Sequence, residues 1–481
     1  MSLRAKGSWL LLDNGSAALF AFLFFVITAR ILSPVEFGAA ALALSIAQIL
    51  TPMVESLFHD ALIQRADLQD RHVRTATSVT LACAAVLALL LWLVAPLAAR
   101  LFGAPLLASC LPWFGLALAG SALLAMPAAL ARRRMEFRLL AIRTVTARSI
   151  ATAVGIALLL AGSGIWAVVA QFVLSAMLSA IFLMVTGATP LRIGVDRKSA
   201  GELLHFALPT MGTQLLLYAN SRIVTLAIGG MMGPVAAGGW NVAMRFVEPL
   251  QTMAATTIGQ LALPIYARRQ TDRGGLAQAW ALGSRRVAFL LVPLFIGLGA
   301  CAEPVLTLFV GERWTWVAPV MAVICVVMAL IMARQLCEIL FTSLGLPRIN
   351  LMVQVQASLL SLAGVAIGAN FGLLPAAIGW SLRALPFVTS SAWLMRKRAE
   401  ILLSDQARVL VGPFMAAAVM AGAIFTVEAI APAVRSPGLR LLWLVPFGAM
   451  VYSAALLVLD GAARADAGSM FGRLRAQSSG S

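Results

Sequence analysis

Along this chain, hydrophobic positions come in long unbroken blocks, and polar positions gather in the short turns between them. The blocks run to about 20 residues, the length at which an α-helix crosses a bilayer. An outer-membrane barrel would instead show alternating segments of about ten residues. Fourteen spans are predicted, at 9–31, 37–59, 77–101, 107–130, 141–161, 165–187, 206–230, 235–263, 286–310, 316–343, 350–370, 374–395, 409–430 and 439–458. The fold class is therefore all-α: a polytopic membrane protein of about 14 transmembrane helices. Two spans are the least apolar. Asp13-Asn14-Gly15 interrupts the first, and Arg143 and Arg148 stand at the start of the fifth.

Composition excludes a soluble protein, since 61% of the 481 residues are hydrophobic and 11% charged, whereas a soluble domain carries about a quarter charged. The net charge of +17 comes from 36 Lys+Arg against 19 Asp+Glu. With the N-terminus in the cytoplasm, 27 of the 36 basic residues fall on the cytoplasmic side. Five (Arg30, Arg100, Arg313, Arg435, Arg440) fall outside, and four (Arg222, Arg245, Arg334, Arg383) lie within spans. This asymmetry places both termini in the cytoplasm and the chain in a cytoplasmic membrane, with its basic loops against anionic lipid. No stretch interleaves basic and aromatic residues as a nucleic-acid surface does, so no nucleic acid is expected. The cysteines (Cys83, Cys110, Cys301, Cys325, Cys337) are scattered in apolar segments and read as small packing residues. No cleavable signal peptide is evident, and the first apolar run is long enough to stay as an anchor.

The polar stretch 188–203 follows six spans and is the natural divide. The expected organisation is a six-helix bundle over 1–190, a cytoplasmic linker over 191–205, a second six-helix bundle over 206–398, and a further helix pair with a cytoplasmic tail over 399–481. An internal echo supports duplication: the turn Ser33 to Gly38 reads SPVEFG, and Gly233 to Gly238 reads GPVAAG. Six spans per repeat is even, so the two halves would be parallel.

Several chemistries are absent from the sequence. There is no phosphate loop, and none of the three lysines follows one. His59, His72 and His205 have no metal-ligand spacing. No nucleophile elbow is found. The outer loops are a few residues long and carry only Glu36 and Glu312 as acids, which disfavours an enzyme. No cofactor is predicted, and any active transport needs an ion gradient, the membrane potential or a partner.

Charges within spans are costly unless they face a partner, a cavity or water. Arg245 and Glu248 are spaced i,i+3 and Arg334 and Glu338 i,i+4. Each pair reads either as an ion pair closed on its own helix or as part of a polar site. Glu55, His59 and Asp60 lie near a predicted cytoplasmic helix end, where snorkelling accounts for them. Arg222, beside Asn220, and Arg383 have no acidic neighbour one turn away on their own helices. An arginine so placed is expected in a cavity, where its planar fork can take a phosphate.

FVITARILSPVEFGAAALA (25–43), DALIQRADLQDRHVRTAT (60–77), ARRRMEFRLLA (131–141), LLAGSGIWAVVAQ (159–171), LALPIYARRQTD (261–272), EPVLTLFVGERWTWVAPVM (303–321) and LGLPRIN (344–350) together resemble bacterial polysaccharide flippases. This is the lipid-linked oligosaccharide branch of the multidrug/oligosaccharidyl-lipid/polysaccharide exporter superfamily, nearest the exopolysaccharide or colanic-acid type. The resemblance implies two six-helix lobes in a V around a central cavity, worked by alternating access. It implies an undecaprenyl-pyrophosphate-linked oligosaccharide as substrate, moved to the periplasmic leaflet. Polymerase and chain-length proteins of the same pathway are the expected partners. Arg30 matches the family's Ala-Arg position at the end of the first helix. Many relatives carry an acid near Arg222, where this chain reads Asn220-Ser-Arg, so a cation-coupling role for that acid does not transfer. The resulting substrate-binding candidates are Arg222, Arg383, Arg245, Arg334, Asn220 and Arg30. Glu55, Glu248 and Glu338 are candidates for charge balance or for H+ or Na+ coupling. The competing readings are a peptidoglycan lipid precursor flippase, a multidrug/cation antiporter, which should show an acidic cavity, and a membrane polymerase or ligase, which should show a large outer loop.

Overall fold

A computed structural model of the chain describes residues 3–64, 67–186, 193–196, 200–201, 222–270, 272–430, 436–461 and 464. Among these residues the secondary structure is helical and no strand occurs. Eleven helices are long and apolar enough to cross a membrane. Of the other three expected spans, the seventh lies mostly outside the described residues. The eighth is a long helix made more polar by Asn241, Arg245, Glu248, Gln251 and Gln260, and the twelfth is built from short pieces.

By contacts the chain divides into two compact units, Met1–Asn241 and Val242–Ser481. The first holds α1 (Leu3–Ile31), α2 (Pro34–Ser56), α3 (His59–Gln64), α4 (Asp70–Leu101), α5 (Leu106–Cys110), α6 (Phe114–Arg133), α7 (Phe137–Leu160), α8 (Ile165–Thr186), α9 (Arg222–Met232) and the start of α10 (Pro234–Ala267). The second holds the rest of α10, then α11 (Arg273–Ala300), α12 (Ala302–Phe309), α13 (Ala318–Ala333), α14 (Gln335–Ser343), α15 (Pro347–Gly368), α16 (Leu373–Trp380), α17 (Ala384–Ala399), α18 (Leu403–Ile430) and α19 (Pro437–Leu459). The neighbour pairs recur: α4 packs on α6 and α7 on α8 in the first unit, as α11 packs on α13 and α15 on α16 in the second.

Helix faces are sorted by size rather than polarity, because the outer solvent is lipid. In α4 the small or well-packed Ala84, Leu87, Leu91, Ala95 and Ala98 are buried, while Val86, Leu89, Leu90, Leu93 and Leu97 are exposed. Small inward residues let helices approach closely. The same logic governs α15 and α16, where a methyl on Gly364 would run into the Gly379 carbonyl and one on Gly368 into that of Pro375.

The two echoing turns have different chemistry at one backbone position. Pro34 and Pro234 each start a helix, where a missing N–H costs nothing. Ser33 and Glu36 form a reciprocal cap on α2: the Glu36 N–H donates to Ser33 Oγ at 3.3 Å and the Ser33 N–H to Glu36 Oε2 at 3.1 Å. The second turn has no such side chains. Gly233 takes φ of +82° instead, and its N–H donates to the Gly229 carbonyl at 2.9 Å. The shared glycine of both turns has one cause. Within the first unit Gly38 lies against the Pro234 carbonyl, and a methyl on Gly238 would lie 3.1 Å from Gly38 Cα.

Of the residues described between α8 and α9, Gly194 and Asp196 are docked on α4. Ser78 Oγ donates to the Gly194 carbonyl at 3.2 Å, the Gly194 N–H returns to Ser78 Oγ at 3.0 Å, and the Asp196 N–H donates to Thr75 Oγ1 at 3.1 Å.

Candidate functional site

The first unit gathers opposite charges from four helices. α1 and α7 run side by side in parallel register, with Asp13 beside Arg143 and Phe24 against Gly155. Asp13 Oδ1 stands 3.9 Å from Arg143 Nη2, with both side chains 14% exposed. Arg143 Nη2 also donates to Thr144 Oγ1 at 2.7 Å. Across from them, Glu55 of α2 accepts a hydrogen bond from Ser121 of α6 at 2.9 Å. Arg143, Arg148 and Arg132 all lie within Coulombic reach of Glu55, and Arg148 within reach of Asp13. Arg148 stands eleven residues from the start of α7 and twelve from its end. That is about 16–18 Å from either end, the middle of a hydrocarbon core about 30 Å thick.

Two expectations change here. Arg143 and Arg148, expected at the start of the fifth span and counted with the cytoplasmic charges, lie deeper, because α7 already begins at Phe137; in-span arginines therefore occur in both halves. Glu55 does stand in the last turn of α2, but the membrane span does not end there. The helical path continues through α3, and the span containing Glu55 runs from Pro34 to Ile63. At the true end, Arg133 donates to the Leu62 and Ile63 carbonyls at 2.7 and 3.2 Å, capping α3, and Arg132 Nη1 lies 2.8 Å from His59 Nε2.

The second unit has a smaller cluster. Arg383 lies on a single 3₁₀ turn between α16 and α17, its guanidinium 4.8 Å from the Trp380 ring, a cation–π contact. Glu338 of α14 and Glu248 of α10 are both within Coulombic reach of it. Gln335 Nε2 donates to Glu338 at 3.4 Å. So Arg383 does have acidic neighbours, and they come from other helices. Arg245 is half-buried, one turn before Glu248 on α10.

Arg334 departs from its expected place. Its pairing with Glu338 does not form; the side chain is 5% exposed and spent on packing. Nε donates to the Phe387 carbonyl at 2.8 Å and to Ser391 Oγ at 3.2 Å, and Nη2 to Ser391 Oγ at 3.1 Å and Gln406 Oε1 at 3.0 Å. Gln406 in turn donates to the Ala392 and Ile401 carbonyls. The Nε and Nη2 edge of the guanidinium is therefore committed to protein acceptors. Of the remaining candidates, Arg222 is half-buried at the first described residue of α9, and Arg30 is exposed at the outer end of α1. Asn220 lies outside the described residues.

Comparison with known proteins places this geometry in a family context. The family model described as "Polysaccharide biosynthesis protein" matches residues 27–319. The succinoglycan biosynthesis transport protein ExoT of Rhizobium meliloti (strain 1021) is 26% identical over 444 residues, 90% of this chain and 88% of that protein. The lipopolysaccharide biosynthesis protein WzxC of Escherichia coli (strain K12) is 23% identical over 316 residues, 63% of this chain and 62% of that protein. Among solved structures, the lipid II flippase MurJ in an inward closed conformation matches with a TM-score of 0.73 at 13% identity, covering 93% of this chain and 98% of MurJ. That likeness establishes a shared fold.

Proposed function

This chain belongs to the polysaccharide biosynthesis protein family, and from that premise we propose that it is a flippase for lipid-linked oligosaccharide. The substrate is an oligosaccharide carried on undecaprenyl pyrophosphate, moved from the cytoplasmic to the periplasmic leaflet of the inner membrane by alternating access. Both termini face the cytoplasm, and polymerase and chain-length proteins of the same pathway act on what it delivers. The name of ExoT, a transport protein of succinoglycan biosynthesis, supports this reading. The observation that carries it is the pair of arginines inside α7, Arg148 at its middle, within electrostatic reach of acids from neighbouring helices. A pyrophosphate cannot cross hydrocarbon bare, and guanidinium groups at mid-depth give it a place to rest. Arg222 in the first unit, and Arg245 and Arg383 in the second, are further substrate-binding candidates, each within its own unit. Glu55 in the first unit, and Glu248 and Glu338 in the second, are the groups through which H+ or Na+ would couple.

The test is complementation of a flippase-deleted host, reading surface polysaccharide and the lipid-linked oligosaccharide left on the cytoplasmic side. Wild type restores export. Arg148→Ala blocks it at normal membrane abundance, and Arg148→Lys retains part, because a point charge replaces a planar fork. Normal export by Arg148→Ala removes this arginine from the substrate path. The MurJ fold supports a second reading, export of a peptidoglycan lipid precursor, and rescue of a host lacking its lipid II flippase would select it.

A further inference from the structure

The first-unit cluster holds two arginines and two carboxylates, and they are poorly engaged with one another. Arg143 and Asp13 are 3.9 Å apart, beyond hydrogen-bond distance. The Nε of Arg143 is buried without an acceptor. Arg148 makes no hydrogen bond and no ion pair among the described residues. Glu55 is held by one hydrogen bond, from Ser121, and is exposed. A guanidinium offers about five N–H donors, so most of the donor capacity here is unused. Arg334, by contrast, engages Nε and Nη2 with protein acceptors at 2.8–3.2 Å. Two buried arginines with idle donors, charge-balanced by two loosely held carboxylates, have the form of a site whose own acids stand in for an anionic ligand.

We infer that Asp13 and Glu55 are resident counter-anions of the Arg143–Arg148 site, which a lipid-borne pyrophosphate displaces and a single phosphate does not. This deepens the proposed function and rests on it. Asp13 and Glu55 offset the two charges of Arg143 and Arg148, with Arg132 also within reach, so the site exerts less long-range pull on phosphate or chloride. A single phosphate could replace one carboxylate only, and would then sit beside the other with like charge. A pyrophosphate carries charge and acceptor oxygens on two linked groups, so a single binding event can satisfy both guanidinium forks. Glu55 is tethered by one side-chain hydrogen bond, so it can turn away with the loss of that bond alone. The acids therefore select for a diphosphate by competing with it, and weaken its binding as they do so.

The experiment is equilibrium binding to the purified full-length protein, with undecaprenyl pyrophosphate and inorganic phosphate as separate probes. Wild type is expected to bind the pyrophosphate lipid and to discriminate against phosphate. Glu55→Gln keeps the side-chain shape and removes the charge; it and Asp13→Asn are expected to bind the lipid about tenfold tighter and to begin binding phosphate. Should Glu55→Gln fail to accumulate, Asp13→Asn decides alone. Equal or weaker lipid binding by the carboxylate variants, at wild-type thermal stability, overturns the inference and leaves the proposed function standing. Wild-type protein that binds neither probe, or Arg148→Ala protein that binds the lipid as wild type does, overturns the proposed site itself.

Discussion

At the scale of single residues, the same side chain does opposite work in two places. Arg148 keeps its donors idle at mid-membrane, whereas Arg334 gives its Nε and Nη2 donors to the protein. Removing Arg334 should therefore affect stability before transport. Arg334→Met leaves Gln406 Oε1, Ser391 and the Phe387 carbonyl short of a donor, and is expected to cost about 3 kcal/mol. Adding Gln406→Leu to it should cost less than the sum of the two single changes, because one buried acceptor is then removed with its donor. Thermal unfolding of the detergent-purified variants measures both; full stability in Arg334→Met would contradict the network. Glycine gives a second residue-scale expectation. Gly38→Ala sets a methyl on the Pro234 carbonyl and should destabilise by about 1–3 kcal/mol, read by the same melt.

Helices show what the sequence made legible and what it hid. Apolar windows located the spans because lipid imposes them, but they missed the ends. The fourth helix begins at Asp70 rather than 77, since a helix continues through Asp70-Arg71-His72 once its backbone is paired internally. That shortfall cost the site its centre. With the fifth span drawn from 141, Arg143 and Arg148 stand near its start, and a helix starting at Phe137 sets them deeper. The signal was nonetheless present: two spans interrupted by polar residues, the first at Asp13 and the fifth at Arg143 and Arg148, are the two whose charges meet across α1 and α7. Searching each helix for its own salt bridges could not find this, because Glu338 and Glu248 reach Arg383 from other helices. The break between α13 and α14 was likewise invisible. No proline or glycine stands near Arg334, whose backbone departs to φ −102°, ψ 3°, so the cause is the side chain bound to α17 and α18. The last two helices are thereby tied into the second unit rather than merely added. Gln406 secures one end, and at the other Arg440 of α19 reaches Glu428 of α18 at 2.8 Å and Glu303 of α12 at 3.8 Å.

For the whole molecule, the distribution of basic residues gives an expectation that needs no atomic detail. Reporter fusions at the turn before Pro34 and at Gly311 should report the outside. Fusions at Met135 and after the last helix should report the cytoplasm. The reverse pattern would invert the direction assigned to export. Composition and span count were enough to reach the fold class, and the ordered motifs enough to reach the family. The chemistry of the site was not reachable that way, because it depends on which faces of separate helices meet.

The paired glycines of the two echoing turns carry a consequence for descent. A duplicated segment is usually free to drift apart, and these turns have drifted, one keeping a Ser–Glu cap and the other a left-handed glycine. Gly38 and Gly238 are not free in this way, since a methyl on Gly38 would run into the Pro234 carbonyl of the other turn and one on Gly238 would press on the Gly38 backbone. The two copies therefore inherit that position jointly: a change in one is tolerated only in a background where the other side has already given way.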